Sequence, residues 1–137
     1  MLQASGQSMG TVSELCMGCL CEASTDCNRN FRCDGSYCGM FRISTPYWRD
    51  AGSPVMKGDN STTVGVFERC VLDPYCASRT VQGYMARFSK DCNGDKKVDC
   101  NDFALLHYQG AGCEGDPDEG FEDFRTKLNE CLAEVAG

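Results

Sequence analysis

The sequence predicts a small, disulfide-rich α+β domain, mostly helical with a short β-hairpin or sheet. Three observations carry that expectation. The chain has 137 residues and 12 cysteines, an even number. Apolar side chains recur at helical spacing in three segments of its second half. One stretch alone, residues 38–43, has the mixed apolar and small composition of a strand. This length is that of one domain, so residues 11–137 are expected to form it behind a flexible tail at 1–10.

An even cysteine count of this density fits a disulfide framework made in an oxidising compartment. Zinc is dismissed, because a zinc site wants two pairs of Cys or His around one ion, His107 is the only histidine and 12 cysteines are too many for such a site. Three bridges close short loops and are expected from proximity: Cys21–Cys27, Cys33–Cys38 and Cys70–Cys76. Spacing leaves the partners of Cys16, Cys19, Cys92, Cys100, Cys113 and Cys131 open. Such a framework implies a secreted, extracellular protein. No secretory signal is present, so the start is expected to follow removal of a targeting segment.

The net charge of −7 argues against nucleic acid and anionic membranes as partners, since both attract basic surfaces. It also argues against cationic adhesion to bacterial walls. No apolar run approaches the ~20 residues of a membrane span, so no membrane insertion is expected.

Along the chain, Ser13 is a candidate N-cap for a short helix with Leu15 and Cys19 on one face. Residues 22–36 are polar and punctuated by cysteines, so irregular structure is expected. The strand or hairpin at 38–43 should end at Pro46-Tyr47-Trp48. A long loop follows over 51–63, rich in Gly, Pro, Asp and Asn, and Asn60-Ser61-Thr62 within it is a glycosylation sequon. A helical turn near Phe67 leads to Cys70. Asp73-Pro74 reads as an N-cap followed by Pro at the first helical position, and Val81, Tyr84, Met85 and Phe88 continue that helix. Residues 101–109 form another, closed by Gly110. Residues 117–133 form the last, with Phe121, Phe124, Leu128, Cys131 and Leu132 on one face.

Between two of these helices, the run at 91–102 is EF-hand-like. Asp91, Asn93, Asp95, Asp99 and Asp102 stand at loop positions 1, 3, 5, 9 and 12, and Lys97 at position 7 offers its carbonyl. A structural Ca2+ is the expected cofactor. Lys96 replaces the usual Gly at position 6, and Asp ends the loop instead of Glu. In this ending the run resembles the calcium loops of dockerin modules. An acidic, solvated helix connector is the competing reading.

Larger blocks carry a second resemblance. They are Cys16-x-x-Cys19-x-Cys21, Cys38-Gly39-x-Phe41-x-Ile43, Tyr47-Trp48-x-Asp50-x-Gly52, Val81-Gln82-x-Tyr84-Met85, Phe103-Ala104, His107 and Gly112-Cys113. In order and spacing, from Cys16 to Cys131, the chain resembles the destabilase, or invertebrate-type lysozyme, family. That resemblance implies a lysozyme-like fold with a sugar cleft between helices and a short sheet. It implies peptidoglycan or chitin fragments as the glycan partner.

The departures from the family fall on the chemistry. Peptidoglycan-cleaving members carry a general-acid Glu where this chain has Ser24. Glu22 and Asp26 are displaced candidates for that acid, and Asp34 for the second carboxylate. Glycoside hydrolysis needs two carboxyls at a set separation, so solvated loop charge competes as the reading of all three. Some members are credited with isopeptidase activity through a Ser and a His, for which Ser36 and His107 would be the residues. Tyr37, Tyr47 and Trp48 are candidates to stack on sugars, Trp48 being equally suited to the core. Three functions therefore compete: a glycan binder with weak or lost muramidase activity, an active glycoside hydrolase with displaced acids, and a non-catalytic scaffold for a protein partner.

Overall fold

The computed structural model describes residues 12–114 and 118–136. The expected tail at 1–10 and the start of the last helix at Pro117 lie outside these residues.

Helix α1 (Glu14–Thr25) begins where Ser13 accepts the Cys16 amide at 3.1 Å. It ends where Asp26 turns into the left-handed region at φ 58°. The helix thus continues through residues expected to be irregular. Leu15, expected on one face with Cys19, is 60% exposed, while Cys16, Cys19, Leu20 and Ala23 are buried. Leu15 shares a face with Cys19 one turn on, but it stands in the first turn, at the edge of the stripe that Cys16, Cys19, Leu20 and Ala23 bury.

The hairpin is β1 (Cys33–Asp34) paired antiparallel with β2 (Tyr37–Cys38), in the register Cys33↔Cys38 and Asp34↔Tyr37. Gly35 takes φ 63° in its two-residue turn. The expected 38–43 strand reduces to one bridge between Cys38 and Ile43. Arg42, at φ 52°, turns the chain between them. A Cβ on Gly39 would lie 1.9 Å from the Val71 carbonyl oxygen, so only glycine allows this approach.

Pro46, Tyr47 and Trp48 sit inside a short helix, α2 (Thr45–Asp50), instead of ending a strand. Ser44 accepts the Tyr47 amide at 3.3 Å and Pro46 occupies the first turn. That N-terminal pairing of cap and proline is itself a helix signal. Helix α3 (Val66–Leu72) leads to Asp73, which caps α4 (Pro74–Phe88) through the Cys76 amide at 2.8 Å. Helices α5 (Cys100–Gln109) and α6 (Glu119–Ala136) complete the chain.

The core gathers Leu20, Ile43, Val71, Val81, Met85, Leu106 and Leu128, all at most 2% exposed. Among the described residues, no helix is long and apolar enough to cross a membrane. The three short-loop bridges expected from spacing are present. The remaining pairs are Cys16–Cys100, Cys19–Cys131 and Cys92–Cys113. Cys19–Cys131, spanning 112 positions, ties α1 to α6. Cys16–Cys100 ties α1 to α5. Loops this long are where a bridge removes most entropy from the unfolded chain, about 4–5 kcal/mol each in the chain-entropy account.

Candidate active cleft

A cleft of about 600 Å³ opens between α1, β2, α5 and α6. Helix α1 contributes Ala23 and Ser24, β2 contributes Tyr37, and the turn after it Phe41 and Arg42. Helix α5 contributes His107 and Tyr108. Glu114, Asp118, Asp123 and Lys127 line the side formed by α6 and its approach.

Ser24 therefore points its residue position into the cleft, and its hydroxyl donates to the Leu20 carbonyl at 2.8 Å. The displaced acids lie elsewhere. Glu22 is exposed, its Oε2 3.3 Å from the Cys131 sulfur against α6. Asp26 is exposed and lies 3.5 Å from Lys127 Nζ. Asp34, also exposed, accepts from Arg42 Nη1 at 3.1 Å. None of the three lines the cleft. Positions two residues apart on a helix lie on different faces, which accounts for Glu22 turning away from the cleft that Ser24 lines.

His107 is half-buried and both ring nitrogens are engaged. Its Nε2 is 2.8 Å from the Phe41 carbonyl, and Nδ1 is 2.8 Å from the Tyr47 hydroxyl. A carbonyl only accepts, so Nε2 carries the proton and Tyr47 donates to Nδ1. Burial pushes the imidazole pKa down to about 4. Ser36 borders a second, separate cavity of about 810 Å³, whose lining does not include His107. The Ser36–His107 pair is not assembled.

Of the three candidate stacking residues, Tyr37 lines the cleft and is 47% exposed. Tyr47 stacks on Tyr84 at 3.9 Å in the core, and burial raises its pKa. Trp48 is 3% exposed, donates its indole N–H to the Pro54 carbonyl at 2.8 Å and meets Phe67 edge-on. Both are core side chains, because α2 turns the apolar side of Tyr47-Trp48 inward.

Reading the sequence missed Tyr108. It is 40% exposed, packs on Phe121 and Phe124, and donates its hydroxyl to Asp118 Oδ1 at 3.2 Å. A Cβ on Gly120 would come within 2.6 Å of that hydroxyl. The Tyr108 ring is thus a fixed aromatic wall. Arg42 stacks over Tyr37 at 5.4 Å, a cation–π contact that steadies the opposite wall.

In the loop at 91–102, carboxylate oxygens of Asp91, Asp95 and Asp102 lie within 4.8 Å of one another. Asp102 is fully buried and accepts the amides of Cys92, Asn93 and Asp99. Asp91 accepts those of Gly94 and Lys96, Asn93 that of Asp95, and Asp95 that of Lys97. Lys96 adopts φ 71°, the left-handed conformation for which such loops use Gly at position 6. Asp99 caps α5, which turns it from the convergent carboxylates. The all-oxygen donor set suits a hard cation.

The family model described as Destabilase matches residues 13–131. A lysozyme of Meretrix lusoria is 34% identical over 127 residues, covering 89% of this chain and 94% of that protein. Lysozyme 1 of Crassostrea virginica is 34% identical over 119 residues, 83% of this chain. The chain spans 58% of that oyster protein's length. Among solved structures, Aeromonas hydrophila PliI in complex with Meretrix lusoria lysozyme gives a TM-score of 0.69 at 31% identity, covering 90% of this chain and 96% of that one. Tapes japonica lysozyme gives 0.64 at 30%, covering 86% and 89%. With helices, hairpin and cleft arranged as described, the chain belongs to the destabilase family of invertebrate-type lysozymes.

Proposed function

We propose that this chain is a secreted lysozyme-family protein that holds peptidoglycan or chitin fragments in its cleft, with muramidase activity weak or lost. The observation that carries this reading is Ser24, a cleft-lining hydroxyl already committed to a helix carbonyl. Hydrolysis needs a carboxylic acid and a second carboxylate flanking the bond, and Glu22, Asp26 and Asp34 do not line the cleft. Glu114, Asp118 and Asp123 do line it, but all three are exposed to water. A glycosidase's general acid sits instead in an apolar pocket. Tyr37 and Tyr108 supply the flat faces on which a sugar ring stacks.

The lining also bears on which glycan fits. Its two cations are already matched, Arg42 to Asp34 and Lys127 to Asp26. The surplus is acidic, so neutral chitin-type fragments are favoured over strongly anionic ones. Titration with N-acetylglucosamine oligomers and muropeptides, beside a wall-turbidity assay, tests the reading. Binding without clearing is expected. Clearing well above background would overturn lost activity, and absence of binding to any fragment would overturn the glycan reading. The solved complex of Meretrix lusoria lysozyme with PliI favours a second reading, in which a bacterial protein is the partner.

The acidic loop at 91–102 is proposed to hold Ca2+ as a structural ion. Asp91, Asp95 and Asp102 would supply carboxylates, with Asn93 and the Lys97 carbonyl beside them. Its chemistry would be charge neutralisation between α4 and α5.

A further inference from the structure

The loop from Ala51 to Gly65 takes no part in the cleft, yet it presents one side chain in a chemically distinctive state. Asn60 is exposed. Its Oδ1 accepts twice from the same residue, from the Thr62 amide at 2.9 Å and the Thr62 hydroxyl at 2.7 Å. Its own amide donates to Thr63 Oγ1 at 2.9 Å. The side-chain nitrogen Nδ2 has no partner among the described residues. The segment therefore holds the hydroxyl of the second following residue against the asparagine carboxamide and leaves the amide nitrogen in water.

The surroundings are firm where they should be and open where they should be. Next to Asn60, Asp59 is gripped by Arg69 of α3, with Nε to Oδ2 at 3.0 Å and Nη2 to Oδ1 at 2.8 Å. That hydrogen-bonded pair holds the Asp59 carboxyl below its ordinary pKa. On the other side, Val64 is 91% exposed, so no neighbouring element covers the turn. The middle position of the motif is Ser61, where Pro would exclude modification. No other asparagine of the chain is followed two residues later by serine or threonine.

We propose that Asn60 is a site of N-linked glycosylation. The proposal rests on the secreted reading above, because the donor is a lipid-linked oligosaccharyl diphosphate of the secretory pathway. In the transfer, Asn60 Nδ2 attacks the anomeric carbon and loses one proton to the transferase's base. The new C–N bond replaces the C–O bond to the lipid diphosphate, which leaves with the electron pair. No oxidant or reductant is needed, and no contact of the folded turn is lost, because Nδ2 engages nothing. Since Asn60 lines neither cavity, the glycan would leave the sugar cleft open. It would cover the exposed turn and Val64, where an unprotected loop tip is most open to proteolysis.

The experiment passes the full chain through the secretory pathway of an insect cell behind a cleavable leader, and reads the intact mass. Both the exported protein and the membrane-enclosed fraction are weighed, so occupancy is read even if export is poor. The expected result is one discrete gain in mass, removed by an N-glycosidase that leaves Asn60 as aspartate. It should be absent in Asn60→Gln and in Thr62→Ala. Glycan binding by the cleft should be the same with and without the modification. A chain of bare polypeptide mass in both fractions would overturn the proposal, whatever becomes of the cleft. A mass gain that survives Thr62→Ala would do the same. Loss of cleft binding in a chain that still carries the glycan would instead strike the glycan-cleft reading alone.

Discussion

The Tyr47 hydroxyl lies 2.8 Å from His107 Nδ1, while His107 Nε2 meets the Phe41 carbonyl at the same distance. This chain of donors runs one way, from Tyr47 to imidazole to backbone, and it requires the neutral ring. It joins α2, α5 and the turn after β2. A histidine so committed has no free nitrogen with which to activate a serine.

The first prediction is a pH dependence. His107 titrates at about 4 in the folded chain, below its ordinary 6.5. The unfolded chain therefore binds the extra proton first as pH falls. The term is absent above about 6.5, grows as pH drops towards 4, and then levels. Its full size is at most about 3 kcal/mol, less where the ring edge still touches solvent at the cleft. Denaturant unfolding between pH 7 and 4 should show this loss, and His107→Gln should flatten that window. An unchanged pH profile in a folded His107→Gln protein would remove the imidazole from the account.

The second prediction concerns Trp48, a core side chain, and Tyr108, an exposed wall of the cleft. Trp48→Ala should cost about 3–5 kcal/mol of stability, as removal of a packed core aromatic does. Tyr108→Ala should leave most stability intact and weaken glycan binding several-fold. Melting curves and oligosaccharide titration of the two variants separate these effects. Equal losses of binding with no loss of stability would return Trp48 to the ligand.

These two residues show what sequence patterning can and cannot carry. Helices α4, α5 and α6 repeat apolar residues at 3.6-residue spacing, and their cores fell where that period put them. Bridges closing five- or six-residue intervals were equally legible. The hairpin was not, because two-residue strands hold too little alternation to register, and its pairing depends on Gly35 and the Cys33–Cys38 bridge. Nor was the cleft. Ser24, Tyr37, Tyr108 and Asp123 come from four segments, of which α1, α5 and α6 are joined by long-range disulfides, and nothing local tells which side of α6 faces α1. Glu22 looked as eligible as Ser24 until the turn of α1 set them apart.

A third prediction follows from Ser24. Ser24→Glu places a carboxyl where the cleft is lined by the half-buried serine, beside the buried Ala23. If absent acid is the sole defect, wall clearing should rise by about 10²–10⁴-fold, the range of general acid catalysis. A folded variant as inert as its parent would mean that the second carboxylate is also lost. Asp34, held by Arg42 outside the cleft lining, would then be the next group to reposition, through Arg42→Ala.

The last prediction separates two jobs within the acidic loop. Asp102 is buried and accepts three backbone amides, so Asp102→Ala leaves those donors without a partner. It should cost about 3 kcal/mol or more whether or not calcium is present. Asp95 is exposed, and its carboxylate is one of the three that converge. Asp95→Ala should leave the chelated protein close to its parent in stability. What it should remove is the response to calcium. An ion that binds only the folded chain stabilises it by about 2.7 kcal/mol at a hundredfold excess over Kd, on the order of 10 °C in Tm for a chain of this size. Parent protein should therefore melt higher in calcium than in chelator, Asp95→Ala should melt alike in both, and Asp102→Ala should melt low in both. Identical parent curves in calcium and chelator would leave the loop as a helix connector, held by its own amide bonds and by Cys92–Cys113.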